Sequence, residues 1–332
     1  MTQAHLCEDR EVWDETIATL GGHPLQLWGW GEVKLRHHWG VTRVLILQGG
    51  HTIGAAQVLT RDIPFVKKKI AYVPRGPVCD EKDRKIVLDS LMTYANTVMK
   101  IIGISVEPDW EGESAMPQGW FAMKQTMLIP RTLRLDLTKS IEELQSDIVS
   151  KRRYDIRKSM STVGDSIRIV TDEREVKQCL SVYRETSKRA GFGIHDDDYY
   201  LDIFREMGEG SRLVAAYANG MPVAFTWYAV TQAVAFELYG GITEEGQKLR
   251  ANYGLKWWGI EYFSREGVRV YDFNGLLNDG ISSFKKSFAS HENNLIGTYG
   301  YAFSPLYRIW LDALPVAKHT VQLIDTLRKK QQ

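Results

Sequence analysis

Two hairpins stand out in the pattern of hydrophobic and polar positions. Residues 43–59 (RVLILQGGHTIGAAQVL) form apolar runs around a Gly-Gly pair, and residues 212–230 (RLVAAYANGMPVAFTWYAV) do so around Asn219-Gly220. Both pairs favour tight turns, because Gly and Asn tolerate the positive φ that such turns need. Each half of the chain is therefore predicted to hold a strand, a two-residue turn and a second strand.

A third strand and a helix are predicted after each hairpin. The strands are expected at 70–73, before Arg75-Gly76, and at 234–239, before Gly240-Gly241. Each helix should then end near a glycine, Gly103 or Gly267. The helices are indicated by apolar residues at helical spacing, which are Val87, Leu91, Tyr94, Val98 and Ile102 in the first half and Leu255, Trp258, Tyr262 and Phe263 in the second.

A short strand with an acidic residue at its end closes each series, at 104–107 and at 268–272. The order strand, turn, strand, strand, helix, strand thus occurs twice, and it is the order of the central part of the GNAT-type acyltransferase fold. We therefore predict an α+β protein of two tandem GNAT-like domains, each a mixed sheet flanked by helices.

The junction between the two domains is predicted around residues 139–160. Thr138 is a candidate N-cap for a helix whose first turn holds Ile141-Glu142-Glu143. This helix is expected to continue through the basic segment 151–158. Domain 2 would then begin at residue 139.

Domain 1 is accordingly assigned to residues 1–138 and domain 2 to residues 139–297. The remaining segment, 298–332, is expected to pack back on domain 1 and complete it. The basis is a set of apolar residues at roughly helical spacing, namely Phe303, Tyr307, Trp310 and Leu314.

Composition and charge narrow the classes of function. The chain is 44% hydrophobic and 25% charged, as ordinary globular proteins are, and its net charge of +1 means that any polyanion must bind a local patch. The three cysteines are widely separated and the adjacent His37-His38 cannot share a helix face, so we expect a reducing compartment and no metal. The sequence has no run of 18 apolar residues, and it does not begin with a basic stretch followed by an apolar one. We therefore expect a cytoplasmic protein.

Common nucleotide and nucleophile motifs are missing from the sequence. It contains no G-x-x-x-x-G-K-[ST], no G-x-S-x-G and no complete G-x-G-x-x-G, since Gly191-Phe192-Gly193 is only a fragment of the last. No covalent nucleophile stands out either. This favours direct transfer between two bound substrates.

Several segments carry a resemblance to a known family, in that family's order. The series resembles the Fem (FemABX) peptidoglycan-bridge aminoacyltransferases and covers nearly the whole chain. The segments are Leu27-Trp28-Gly29-Trp30 with Glu32-Val33-Lys34, Tyr72-Val73-Pro74-Arg75-Gly76-Pro77, Leu135-Asp136-Leu137 with the 151–158 segment KRRYDIRK, Lys188-Arg189-Ala190-Gly191-Phe192, Tyr271-Asp272-Phe273-Asn274-Gly275 and Phe284-Lys285-Lys286-Ser287-Phe288.

The resemblance implies a function and its partners. Fem proteins take an amino acid from aminoacyl-tRNA and attach it to the side-chain amine of the third stem residue of UDP-MurNAc-pentapeptide or lipid II. Aminoacyl-tRNA would be a co-substrate, with no further cofactor, and the protein would be a monomer that can contact the inner face of the cytoplasmic membrane. Some members insert a coiled-coil arm in the second domain, but residues 195–211 leave no room for one, which indicates the compact type.

Four residues are implied to bind substrate. By resemblance Lys34 and Arg189 bind the diphosphate of the precursor, Arg75 is a further contact and Tyr239 lines the cleft. The residues alone also allow plainer roles: a solvated Lys34, an Arg189 that stabilises a helix C-terminus, and a buried Tyr239.

Two residues are implied to act in catalysis. Glu107 could hold the acceptor ammonium and help remove its proton, although many relatives have Asp there and a structural carboxylate is an open alternative. Lys285 is implied to stabilise the developing oxyanion or the tRNA terminus, with Lys286 as a competing candidate. Asp272 is interpreted as a residue that fixes its turn.

Two basic segments are candidates for polyanions. Lys67-Lys68-Lys69 suits an anionic membrane or the protection of an edge strand. The 151–158 segment is a candidate for the tRNA acceptor stem, bound through phosphate, or a solvated helix face. Its basic residues are Lys151, Arg152, Arg153, Arg157 and Lys158.

Two alternatives to the aminoacyltransferase remain open at this point. The first is a GNAT-type N-acyltransferase that uses acyl-CoA, although no good Q/R-x-x-G-x-G/A turn for its pyrophosphate follows the relevant strands. The second is a non-catalytic protein that binds RNA or the cell-wall precursor.

Overall fold

The computed structural model describes residues 2–63, 66–112, 116–277 and 279–313. Its strands build two large mixed sheets and one small one. In chain order they are β1 (Thr2–Leu6), β2 (Gly40–Gln48), β3 (His51–Ile63), β4 (Val66–Pro74), β5 (Val78–Cys79), β6 (Ile101–Glu107), β7 (Trp120–Ala122), β8 (Arg131–Thr132), β9 (Arg134–Asp136), β10 (Arg168–Ile169), β11 (Ser211–Ala218), β12 (Met221–Val230), β13 (Val234–Ile242), β14 (Val270–Asp272), β15 (Asn293–Asn294) and β16 (Tyr299–Ala302).

Helices cover the faces of these sheets. They are α1 (Arg10–Thr19), α2 (Trp28–Arg36), α3 (Arg84–Tyr94), α4 (Ile141–Asp147), α5 (Ser150–Val163), α6 (Glu173–Ala190), α7 (Asp197–Met207), α8 (Glu244–Leu249), α9 (Ala251–Arg265) and α10 (Gly280–Lys285). Among the residues that the structure describes, no helix is both long and apolar enough to cross a membrane.

The first sheet has the strand order β1-β2-β3-β4-β6-β16-β7, with β5 paired to β3. The second has the order β10-β11-β12-β13-β14-β9. In each sheet an antiparallel hairpin (β2–β3, β11–β12) leads to a third strand that pairs in parallel with the strand after the helix (β4 with β6, β13 with β14). The predicted duplication, its turns and the α+β class are thereby confirmed.

The first helix ends earlier than the sequence predicts. Helix α3 gives way to a π-helical turn over Ala95–Met99, Lys100 takes a φ of 53°, and Gly103 lies inside β6. Gly103 serves packing instead, because a Cβ there would lie 2.1 Å from the ring of Tyr307. In the second half Gly267 follows α9 with a φ of 76°, as predicted.

The helix at the junction begins at a different cap from the one predicted. Ser140, not Thr138, caps α4, and it forms a capping box with Glu143. The Thr138 hydroxyl instead donates to Asp136. The helix also breaks at residues 148–149 before α5 begins.

The predicted boundary after residue 138 does not match the sheets. Strand β9, before that boundary, pairs with β14 and so belongs to the second sheet. Strand β16 returns to pair with β6 and β7 of the first sheet. Residues 305–313 then form a helix whose Tyr307 and Trp310 pack near Ile63 and Ile102 of the first sheet, while the predicted Leu314 lies outside the described residues.

Candidate functional site

A cleft of about 530 Å³ opens in the second sheet where two parallel strands part. Strands β13 and β14 pair only from Val234 to Phe236 and from Val270 to Asp272, after which β13 continues alone to Ile242. The side chains that face this opening come from β12, β13, α6, α8, α9 and α10 and from the turn after β14. Those with polar groups include Glu237, Tyr239, Gln247, Asn252, Lys256, Asn274 and Lys285.

Lys285 lies in the wall of this cleft. It stands at the end of α10, and its Nζ donates to the carbonyl oxygens of Asn274 and Gly275, both at 3.2 Å. Within the described ranges it forms no ion pair with a carboxylate. Burial lowers its pKa from the usual value for lysine. A cation held by two carbonyl groups keeps a third N–H for a ligand in the cleft.

The neighbouring Lys286 has a different environment. Its Nζ lies 2.6 Å from Glu292, in a half-exposed ion pair, and it does not line the cleft. The two lysines that the sequence left as competitors are therefore distinguished by the structure, and Lys285 is the one at the site.

A buried ion pair forms part of the cleft floor, and the sequence reasoning missed it. The Lys256 ammonium contacts the Glu237 carboxylate, which also accepts a hydrogen bond from Tyr271 at 2.6 Å, and Tyr271 in turn lies 2.9 Å from the Tyr228 hydroxyl. Both charged residues are buried. In the sequence, this pair is indicated by the single carboxylate of Glu237 inside the otherwise apolar strand VAFELYG, because a buried charge needs a partner.

The turn after β14 holds the carbonyl groups that bind Lys285. Asp272 is 0% exposed and accepts from the Asn274 backbone N–H at 2.7 Å and from Thr132 at 2.6 Å. The Asn274 side chain donates to the Glu237 carbonyl at 2.9 Å. Asp272 therefore fixes the turn, as predicted, and does not face the cleft.

Arg134 connects this turn to the first half of the chain. Its Nε lies 2.8 Å from Asp272, its Nη1 lies 3.1 Å from Glu111 and its Nη2 contacts Asp109. Burial disfavours the charge, but the attraction and hydrogen bonds of Asp109 and Asp272 outweigh it and raise the pKa of Arg134. The guanidinium is thus a charged link between the two sheets.

In the first sheet the parallel strands β4 and β6 stay paired as far as Pro74 and Glu107, and residues 127–129 pack against their ends. Glu107 ends β6 and is 1% exposed, and its carboxylate accepts from Met127 N at 2.7 Å, Leu128 N at 3.1 Å and Thr298 Oγ1 at 2.6 Å, as well as from Tyr72. The prediction that Glu107 acts on the acceptor amine is therefore wrong for this geometry, because the carboxylate is enclosed and fully bonded. The alternative of a structural carboxylate fits.

Arg75 is also an interior residue. It is 2% exposed, donates to the Ile129 carbonyl at 3.3 Å and lies 3.9 Å from Asp109. The predicted contact with substrate does not fit this position, because the guanidinium is buried against residues 127–129. Glu107 and Arg75 together hold residues 127–129 in place.

Lys34 stands at the contact between the two domains. Helix α2 packs on α7 so closely that a Cβ on Gly29 would lie 2.3 Å from the Glu206 carbonyl oxygen. This places the Lys34 ammonium 2.7 Å from the Tyr199 hydroxyl and 4.2 Å from the centre of the Trp30 ring. Burial lowers the pKa of Lys34 to about 8, and it has no carboxylate partner in the described part of the chain.

Hydrogen-bonded tyrosines connect Lys34 to the cleft. The Tyr199 hydroxyl bonds to Tyr239, which ends in the cleft and packs edge-on against Tyr200 at 5.1 Å between ring centres. Arg189 lies at the outer edge, where its Nη2 donates to the Ile242 carbonyl at 2.6 Å and its Nη1 pairs with Glu185 at 3.2 Å. Tyr239 and Lys285 thus line the cleft, Arg189 bonds the carbonyl of Ile242 at its edge, and Lys34 is linked to it through Tyr199.

The basic helix α5 offers fewer exposed cations than its sequence suggests. Arg152 pairs with Asp155 at 2.8 Å and lies over the Tyr253 ring, and Arg153 donates to the Ile148 carbonyl at 2.6 Å, so both are structural. Lys151, Arg157 and Lys158 are exposed, and none forms an ion pair in the described structure. The tRNA candidates are thereby reduced to these three.

Comparisons with known proteins agree with this architecture. A family model described as an acetyltransferase (GNAT) domain matches residues 150–286. The lipid II:glycine glycyltransferase of Staphylococcus haemolyticus is 20% identical over 95% of this chain and 98% of that protein, and the enzyme of Staphylococcus aureus (strain USA300) is 20% identical over the same shares.

Solved structures share the fold. The crystal structure of FemX superposes with a TM-score of 0.82 at 18% identity, covering 93% of this chain and 100% of that one. A tandem GNAT protein from the clavulanic acid biosynthesis pathway reaches a TM-score of 0.52 at 13% identity, over 92% of this chain and 99% of that one. The chain therefore has the tandem GNAT fold of an acyltransferase, and its resemblance to the Fem family is confirmed along nearly its whole length.

Proposed function

We propose that this protein transfers an aminoacyl group from aminoacyl-tRNA to the side-chain amine of the third stem residue of a peptidoglycan precursor. The observation that carries the proposal is the open cleft between β13 and β14, with the Lys285 ammonium in its wall. Similarity to lipid II:glycine glycyltransferases supports a peptidoglycan precursor as the acceptor.

The chemistry requires little of the protein beyond positioning and charge. The deprotonated amine attacks the ester carbonyl, a C–N bond forms, the ester C–O bond breaks, and the ribose oxygen leaves with the proton that the amine gives up. Negative charge develops on the carbonyl oxygen on the way. In this proposal the free N–H of Lys285 donates to that oxygen, while the cleft holds the two substrates in contact.

The two anionic substrates are assigned to different sides of the cleft. Lys34 and Arg189 bind the diphosphate of the precursor, because Arg189 bonds Ile242 at the edge of the cleft and Lys34, linked to the cleft through Tyr199, has no carboxylate partner among the described residues. Lys151, Arg157 and Lys158 on α5 bind phosphates of the tRNA acceptor stem. Arg152 packs over Tyr253, a residue of the cleft wall, and so connects that helix with the cleft.

A transfer assay tests the proposal directly. Purified protein is incubated with tRNAs charged with a panel of radiolabelled amino acids, glycine included, and with either UDP-MurNAc-pentapeptide or lipid II. We expect label to appear on one acceptor and to require the charged tRNA. A parallel reaction contains acetyl-CoA in place of tRNA. Absence of transfer across the panel would refute the proposal, and acetylation from coenzyme A would favour the acyl-CoA alternative.

Substituting Lys34 by methionine should raise KM for the precursor about tenfold or more and leave kcat nearly unchanged. The ammonium binds a remote anionic group that is equally charged in ground state and transition state, and a charged hydrogen bond contributes about 1.5–3 kcal/mol. Steady-state kinetics with varied precursor measure this. The matched control is Lys158→Met on α5, which should leave KM for the precursor unchanged.

The pH dependence of precursor binding gives a second readout for Lys34. The pKa of Lys34 is lowered to about 8, so the ammonium is charged below that pH and neutral above it. Affinity for the anionic precursor should therefore fall as pH rises through about 8, and kcat/KM should show this limb. In Lys34→Arg the fall should move to higher pH, since arginine stays charged. An unchanged profile in that variant would contradict the assignment.

A further inference from the structure

A projecting hairpin end in the first sheet carries three consecutive lysines. Strand β4 pairs with β6 only from Lys69 onward, so Val66, Lys67 and Lys68 extend beyond β6 together with the end of β3. All three lysines are exposed, and none forms an ion pair in the part of the chain that the structure describes. Protection of a sheet edge does not explain Lys69, because from that residue onward β4 has a neighbour on each side, whereas Lys67 and Lys68 lie on the part of β4 that β6 does not cover.

An apolar stripe lies next to this hairpin end. The helix formed by residues 305–313 packs with Tyr307, Trp310 and Leu311 in a cluster that contains Ile63 and Ile70 of the hairpin. A neighbouring face of the helix exposes Leu306, at 46%, and Ile309, at 62%. These two residues stand three apart on the helix and so share a face. Val66 on the hairpin is a further exposed apolar residue, at 46%.

The charges around the stripe are mostly positive. The exposed cations are Arg61 on β3, Lys100 directly before β6 and Arg308 on the helix of residues 305–313. The exposed acids on these elements are Asp62 and Asp312. Arg308, on the helix that carries the stripe, places its guanidinium carbon 4.4 Å from the centre of the Phe121 ring. The protein as a whole has a net charge of only +1, so this concentration of cations is local.

We propose that this face, made of Lys67, Lys68, Lys69, Leu306 and Ile309, docks on a bilayer that contains anionic lipids. Cations beside exposed aliphatic side chains are the combination that interfacial binding requires, because apolar groups enter the acyl boundary and lysines meet the lipid phosphates. Charge complementarity selects this occupant over a second copy of the chain, whose same face would be equally positive. The proposal concerns membrane contact alone and does not depend on the transfer reaction.

Vesicle co-sedimentation of the full chain tests it, without any substrate. We expect binding to phosphatidylcholine vesicles with 30% phosphatidylglycerol, little binding to pure phosphatidylcholine, and a decrease as salt rises. The triple variant Lys67→Gln, Lys68→Gln, Lys69→Gln should lower partitioning about 100-fold, since each lysine near an anionic surface changes it about fivefold. Ile309→Ser should weaken the binding that persists at high salt. Circular dichroism verifies folding.

The matched control removes the same charge elsewhere. Lys85, Lys177 and Lys248 are exposed residues of α3, α6 and α8, and their triple change to Gln should leave vesicle binding within about twofold of the unmodified protein. Equal loss in both triple variants would overturn the proposal, because binding would then follow net charge. Absence of binding to anionic vesicles would also overturn it. So would a Lys67, Lys68 and Lys69 triple variant that loses tRNA binding but keeps vesicle binding. A dimer that dissociates on Ile309→Ser in size-exclusion chromatography would overturn it as well.

Discussion

Replacing Lys285 by alanine should reduce the rate of aminoacyl transfer about 100-fold or more without unfolding the protein. Removing one donor that stabilises an oxyanion typically costs about 10²–10³ in kcat. Lys285 fits that role because its two protein bonds go to backbone carbonyl groups, at 3.2 Å each, and leave the third N–H toward the cleft. The substitution should lower the free energy of unfolding only slightly, because burial already disfavours the charged form of Lys285.

Single-turnover measurements with saturating precursor and charged tRNA give the rate of the chemical step. Lys286→Ala is the matched control, because it removes the same side chain one residue away, where the ammonium pairs with Glu292 at the surface. We expect that control to retain activity within about twofold. Lys285→Arg should not restore the rate, because the planar guanidinium cannot occupy the position of a compact ammonium between two carbonyl groups. Equal rates for the Lys285 and Lys286 alanine variants would contradict the assignment.

Substituting Asp272 by alanine should destabilise the protein by about 3–5 kcal/mol, the usual cost of removing one partner from a buried ion pair. The carboxylate is 0% exposed, and its loss leaves the Arg134 guanidinium short of a partner and frees the turn at Asn274. Urea unfolding followed by fluorescence measures the change. Asp136→Ala, which removes an exposed carboxylate that bonds Thr138, should cost below about 1 kcal/mol.

Asp272→Ala should also lower the rate of aminoacyl transfer under conditions in which the variant stays folded. The turn that Asp272 fixes supplies the carbonyl groups of Asn274 and Gly275, and these hold Lys285. Asp272→Asn keeps the shape and can still bond Thr132, so it should recover part of the stability but not the attraction to Arg134. A destabilisation below about 1 kcal/mol for Asp272→Ala would show that Glu111 and Asp109 neutralise Arg134 on their own.

The repeated fold was predictable because its signals are local. The Gly-Gly and Asn-Gly turns, the alternation in the strands and the spacing in the helices each lie within a few residues of one another. Caps and strand ends were less certain, since Ser140 and Thr138 are both good N-cap residues and only the capping box with Glu143 decides between them.

The site could be predicted only in part, because its chemistry depends on contacts between distant segments. Glu107 looked available at the end of its strand, but Leu128 and Thr298, far along the chain, occupy its oxygens. Nothing near Lys285 and Lys286 in sequence shows which one faces the cleft, because the turn of a short helix decides it. The Glu237–Lys256 pair was missed for the same reason.

The closed strand ends of the first sheet have a consequence for stoichiometry. Residues 127–129, fixed by Glu107 and Arg75, pack against the ends of β4 and β6, which stay paired, whereas β13 and β14 of the second sheet part. A duplicated transferase with two open clefts could load two donors at once and modify an acceptor from either side. If the protein acts as proposed, the cleft of the second sheet takes up one charged tRNA per catalytic cycle, and the first half of the duplication is free to serve the acceptor.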